Sequence, residues 1–232
     1  MMNTLEFNPI GTEFNLEAYN KHGFFILKNA LSSEETLEFK NYLPMFQKKI
    51  IDSGIKTPQT ISDGKCGIQC EKLNDGSLDI RKVHNDILEY PRMLELYTRS
   101  KIMNVVHKLV GDEIYVHHTK YMCKPANGGV RKPWHQDLAY WHEQKREGLK
   151  MVTVWIALDQ STKENGCIQV VPGSHNILLD HYHVEDFMVD ETLIKENEIV
   201  FAEMEPGDAL YFHVKVLHAS AKNNPRFGSL KL

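Results

Sequence analysis

The chain has 232 residues, 42% of them apolar and 25% charged, which fits one large globular domain and excludes disordered and fibrous classes. Its 27 basic and 31 acidic residues leave a net charge of −4, with no basic excess to track a nucleic-acid backbone, and no apolar run approaches the roughly 18 residues that span a bilayer. The first 15 residues lack the basic region and apolar core of a signal peptide. Cys66, Cys70, Cys123 and Cys167 are too few for a disulfide scaffold. A reducing cytoplasm is the expected location, with neither nucleic acid nor membrane as partner.

Residues 16–50 read as helical around a short apolar strand, Gly23 to Leu27. The run Leu31-Ser32-Ser33-Glu34-Glu35 supplies a serine cap and acids for the first turn of a helix. Leu37, Phe39 and Leu43 follow at roughly helical spacing. A second helical stretch is expected from Asn85 to Val110, through Leu88, Met93, Leu94, Leu96, Val105 and Val106, ended by Gly111. Asn85 or Asp86 would cap it.

Beyond Gly111 the texture changes to strands. Ile114 to Lys124 alternates, with Ile114, Val116, His118, Lys120 and Met122 on one face. Met151 to Leu158 is apolar or β-prone, with Met151, Thr153, Trp155 and Ala157 on one face. Val170-Val171 leads into a Pro172-Gly173-Ser174 turn, and Pro206-Gly207-Asp208 is a second turn ahead of Ala209 to Phe212. Val214 to Ser220 and Arg226 to Leu232 would be the last strands. Helices followed by many short strands predict an α+β chain with a mainly β core, a sandwich or barrel. One domain is expected over residues 1–232, helical over about 1–112 and β over about 113–232. Residues 176–199 interrupt the strands with acids at Asp180, Glu185, Asp186, Asp190, Glu191, Glu196 and Glu198. They read as a mobile lid over the barrel mouth or as a solvated excursion.

Twelve histidines invite a search for metal ligands. In His135-Gln136-Asp137, residues i and i+2 of an extended chain point to one side, so imidazole and carboxylate can share one metal. The spacing alone is weak, because 12 histidines and 12 aspartates produce it by chance, and His84-Asn85-Asp86 repeats it. A third ligand would come from a remote strand brought near by barrel closure. His213 and His218 are the candidates; five apart, they face opposite sides of a strand, and spacing does not choose between them. Cys66 and Cys70 lack the second ligand pair of a zinc finger and read as free cysteines in a substrate-side loop.

Taken together, Trp134-His135-Gln136-Asp137, Asn165-Gly166-Cys167, Val171-Pro172-Gly173-Ser174-His175, Pro206-Gly207-Asp208 and His218-Ala219-Ser220 resemble the phytanoyl-CoA dioxygenase family, in the right order. The opening Tyr19 to Leu27 looks like the family's usual start. The resemblance implies a double-stranded β-helix, or jelly roll, with flanking N-terminal helices. It implies a non-haem Fe(II), 2-oxoglutarate-dependent dioxygenase that couples decarboxylation of 2-oxoglutarate by O2, giving succinate and CO2, to hydroxylation of a small-molecule substrate.

Carried over by residue, the resemblance makes His135, Asp137 and His218 the iron ligands and relegates His213. Lys120 and Lys82 match positions where the family contacts its cosubstrate, and Trp155 matches a pocket tryptophan. Taken alone, the lysines would be surface charges and the tryptophan ordinary core. The family commonly places an arginine eleven residues after the distal histidine to bind the far carboxylate of 2-oxoglutarate. Here that position is Ser229, and Arg226 is the downstream arginine; its planar fork suits a carboxylate. Related halogenases carry Ala or Gly in place of the iron-binding aspartate, so an intact Asp137 implies hydroxylation, desaturation or ring formation. The alternatives are a non-catalytic jelly-roll binding protein and another metal-dependent cupin-like enzyme. No motif names the substrate or the oligomeric state.

Overall fold

The computed structural model describes residues 8–58, 60–62, 66–126, 129–141, 150–184 and 186–223. The chain begins with β1 (Ile10–Gly11), α1 (Leu16–His22), β2 (Phe24–Leu27), α2 (Ser33–Lys40) and α3 (Leu43–Ser53). The Asn15 side chain caps α1 by accepting from the Ala18 N–H, and Gly23 ends it at φ 78°. Only glycine fits there, because a Cβ would lie 2.4 Å from His175 and 2.5 Å from Val216. The expected serine cap of α2 is a full capping box between Ser32 and Glu35. Phe39 and Leu43 are buried as their spacing predicts, whereas Leu37 is 58% exposed on the outer side of the helix.

Next come β3 (Thr60–Ser62), β4 (Gly67–Lys72) and β5 (Leu78–His84), then α4 (Asp86–Glu89), α5 (Arg92–Tyr97) and α6 (Ser100–Val110). The single helix expected over 85–110 is therefore three. Pro91 forces Tyr90 out of the helical region, to φ −128° and ψ 86°. The Thr98 hydroxyl donates to Leu94 O at the second break. Asp86 is no simple cap: it is fully buried and accepts from the hydroxyls of Tyr97 and Thr119. Asn85 holds the N-cap position at φ 54° without a side-chain bond.

The β part comprises β6 (Lys120–Met122), β7 (Lys132–His135), the short α7 (Asp137–Tyr140), β8 (Val152–Ile156), β9 (Ile168–Val170), the hairpin β10 (Tyr182–His183) and β11 (Phe187–Met188), β12 (Val200–Ala202), β13 (Ala209–His213) and β14 (His218–Ser220). The strand expected over 114–124 is thus reduced to β6, the part that pairs with β5. Val214 to Leu217 is a turn before β14. The expected last strand, from Arg226, lies outside the described residues.

Three four-stranded sheets form, in the orders β1-β2-β13-β8, β12-β9-β14-β7 and β3-β4-β5-β6. The first two face each other in the manner of a jelly roll. Phe24, Ile26, Ala157, Leu210 and Phe212 from the first pack on Ile168, Val170 and Ala202 from the second, with Trp155 against them. The opposite side of β8, with Val152, Val154 and Ile156, packs on the core shared with the helices. Alternation along β8 thus divides its residues between two cores.

One expectation fails on packing grounds. Cys66 and Cys70 lie buried in the helical core, not in a substrate-side loop, and all four cysteines are free. The 176–199 excursion is not merely solvated: Val189 is 1% exposed, packs with Trp134 and Leu217, and donates its N–H to Trp134 O at 2.9 Å. Among the described residues no helix is long and apolar enough to cross a membrane.

Candidate metal centre

Strands β7 and β14 are antiparallel neighbours, and their register sets His135 directly opposite His218. The ring centroids are 4.1 Å apart. Each ring is fixed from behind: His135 Nδ1 bonds Pro133 O at 2.8 Å and His218 Nδ1 bonds Val216 O at 2.9 Å. A carbonyl only accepts, so both Nδ1 atoms carry the hydrogen and both Nε2 lone pairs are free. Gln136 is extended, at φ −122° and ψ 128°, which returns Asp137 to the side of His135. Asp137 Oδ1 lies 3.7 Å from each Nε2. Its other oxygen accepts from Thr153 Oγ1 at 2.7 Å, which fixes the carboxylate.

The three donor atoms lie within 4.8 Å of one another, the one such group among the described residues. Separations of 3.7 Å are too long for hydrogen bonds. They suit one ion bonded at about 2.0–2.2 Å to all three. Both histidines are buried, and burial together with the facing His218 holds the His135 pKa well below the ordinary histidine range despite the bond to Pro133 O. His135 is therefore the neutral imidazole that a metal requires. Two imidazoles and one carboxylate, without thiolate, are the donor set of a 2-His-1-carboxylate iron(II) site. His213 is not in this group: its Nδ1 accepts the Lys215 N–H at 3.1 Å, and its ring packs on His175 at 5.5 Å.

Of the expected cosubstrate residues, Lys120 interacts electrostatically with Asp137. In the β5–β6 register, Lys82 faces Met122 and His84 faces Lys120, so all four side chains share one sheet face. Val83 and Tyr121, on the other face, are buried in the helical core. Burial, with Lys120 and Arg81 adding repulsion, pushes Lys82 down to about 8. Burial and Lys120 bring His118 to about 4. Trp155 shares a face of β8 with Thr153 and packs against the inner core. Arg226 lies outside the described residues.

The support that Thr153 gives Asp137 and the bonds of Gln136 escaped sequence reasoning. The predicted grouping of Thr153 with Trp155 on one face of β8 is a usable signal.

A family model described as phytanoyl-CoA dioxygenase matches residues 19–226. The chain is 29% identical over 226 residues to a probable phytanoyl-CoA dioxygenase of Caenorhabditis elegans, covering 88% of this chain and 68% of that one. It is 25% identical to the ectoine dioxygenase of Sphingopyxis alaskensis (89% and 69% covered) and 28% identical to the L-proline trans-4-hydroxylase of Streptomyces griseoviridis (74% and 77%). The chain spans about two thirds of the length of the phytanoyl-CoA and ectoine dioxygenases it matches.

Among solved structures it shares its fold with EctD from S. alaskensis, bound to 2-oxoglutarate and 5-hydroxyectoine, at a TM-score of 0.69 and 21% identity, covering 91% of this chain and 72% of that one. It shares it equally with the α-ketoglutarate-dependent carbocyclase SnoK of nogalamycin biosynthesis, at 0.67 and 19%, covering 94% and 81%. The jelly-roll order of strands, the donor set and the family match agree: the chain belongs to the phytanoyl-CoA dioxygenase family and is a non-haem iron(II), 2-oxoglutarate-dependent dioxygenase.

Proposed function

We propose that His135, Asp137 and His218 hold the iron(II) and that the chain hydroxylates a small-molecule substrate there, with 2-oxoglutarate and O2 as cosubstrates. The observation that carries this is the β7–β14 register, which sets both Nε2 atoms at 3.7 Å from one oxygen of Asp137. Iron with 2-oxoglutarate supplies the oxidising power; the protein binds, orients and shields. The two backbone carbonyls behind the histidines and the Thr153 hydroxyl behind Asp137 hold the donors in place. Phe212, 4.7 Å from the His218 ring, and Tyr140, 5.6 Å from His135, give the centre aromatic walls that keep out water.

Lys82, Lys120 and Arg226 are the cations for the far carboxylate of 2-oxoglutarate, and Trp155 a wall of its pocket. The excursion 176–199, fixed at its base, is the segment proposed to close over substrate. Four free, buried thiols suit a reducing compartment, the cytoplasm. The test is anaerobic addition of Fe(II) and 2-oxoglutarate, which should give a weak visible charge-transfer absorption. Its absence from the intact protein, or its full retention in Asp137→Ala, would overturn the reading.

A further inference from the structure

Gln136, between the two proximal ligands, points the opposite way from them and is completely buried. Its side-chain amide makes three bonds, all to backbone. Nε2 donates to Ile177 O at 2.7 Å and to Lys215 O, and Oε1 accepts the Leu179 N–H at 2.8 Å. Its own N–H donates to His181 Nε2 at 2.9 Å, and His181 Nδ1 in turn bonds Leu179 O at 2.9 Å. One residue therefore ties together three pieces of chain: the strand carrying His135 and Asp137, the start of the 176–199 excursion, and the turn that delivers His218.

The turn has few other ties to the ligand strand. Leu138 N–H donates to Val214 O at 2.9 Å, and the turn's Val216 O orients His218 at 2.9 Å. The far stem of the excursion is held separately, by Val189 N–H on Trp134 O and by the Lys132–Asp186 pair.

We propose that Gln136 is a positioning residue that clamps the distal-ligand turn and the excursion to the proximal ligands, so that metal geometry and the substrate-side wall are set by one amide. The inference rests on the proposed iron site. A buried primary amide is suited to the task, because it offers two donors and an acceptor to backbone groups that would otherwise be unsatisfied. The clamp acts on His218 through Lys215 and the turn, never by touching the metal.

The experiment compares the intact protein with Gln136→Met, which keeps the volume and removes every side-chain hydrogen bond. Hydrogen exchange and Co(II) titration followed by visible absorption are the two readouts. The clamp predicts exchange at Leu179 faster by about tenfold or more, with Val189 unchanged. It also predicts Co(II) affinity about tenfold weaker, with an altered absorption band. His181→Phe, which keeps the ring against Phe187 and removes the acceptor for Gln136 N–H, should free the Gln136 amide to exchange and shift the cobalt band in the same sense. It carries the test if Gln136→Met does not fold. Leu179 exchange and cobalt affinity both within twofold of the intact protein would overturn the clamp. Failure of the intact protein to bind Co(II) would instead overturn the iron site.

Discussion

Two histidine pairs in this molecule invite comparison. The His135 and His218 rings meet at 4.1 Å, tilted by 48°, across β7 and β14; His175 and His213 pack at 5.5 Å near the end of α1. Both pairs join residues remote in sequence. In the inner pair, each Nδ1 is bonded to a carbonyl and each Nε2 is left facing Asp137. In the outer pair, His175 Nε2 bonds Asn20 O at 3.1 Å, its Nδ1 is buried without a partner, and His213 Nδ1 accepts from Lys215 N–H. Burial first, and then the Lys215 cation, disfavour a proton on either ring. Proximity of two imidazoles is therefore not a metal site. What separates the pairs is the carboxylate and a back-side acceptor on each ring that leaves one lone pair aimed at a shared point.

The largest expected effect breaks the comparison outright. His218→Ala should weaken metal binding more than about 100-fold and abolish 2-oxoglutarate turnover, whereas His213→Ala should leave both nearly unchanged. The reverse result, measured by Fe(II) or Co(II) titration, would exchange the roles of the pairs. A smaller effect is expected on the cosubstrate. Arg226→Ala should raise the apparent KM for 2-oxoglutarate by about tenfold or more, and Arg226→Lys by less, because a lysine keeps the charge without the fork. An unchanged KM would shift the anchor to Lys82 or Lys120.

Thr153→Val tests the support behind Asp137. It removes the 2.7 Å bond at nearly constant volume, and about tenfold weaker metal binding with a normal melting temperature is the expected result. The smallest effect belongs to the outer pair. Burial and the His175 ring hold His213 at about 4, below its unfolded value of about 6.5. Between those values the unfolded chain binds the proton and the folded one does not. Stability is thus fully present above pH 6.5 and is lost as pH falls towards 4. His213→Phe should flatten that acid limb by about 1–2 kcal/mol in urea unfolding, whatever uniform offset the lost Lys215 N–H bond adds at all pH values.

The contribution of sequence to these conclusions differs by residue. The His135-x-Asp137 spacing, the serine cap at Ser32, the turns at Gly173 and Gly207 and the inner face of β8 were all legible, since each depends on neighbours within a few positions. The first of the two breaks within residues 85–110 was visible in Pro91 and was overridden by the apolar periodicity around it; the second, at Thr98, had no such marker. The burial of Cys66 and Cys70 was not legible, because the apolar partners that cover them come from helices elsewhere in the chain.

The sequence by itself determined the family and the residue types from which a metal centre is built, but not the sheet formed by β3, β4 and β5 ahead of α4, in a stretch expected to be helical. The family and the residue types follow from motifs in fixed order. The resemblance favoured His218 over His213, and strand register in the tertiary structure supplies the physical reason, by setting His218 opposite His135. The tertiary structure likewise made Thr153 and Gln136 supports of the centre. Such choices depend on which remote strands pair and which carbonyls stand behind a ring, and no spacing along one chain encodes the direction of a lone pair.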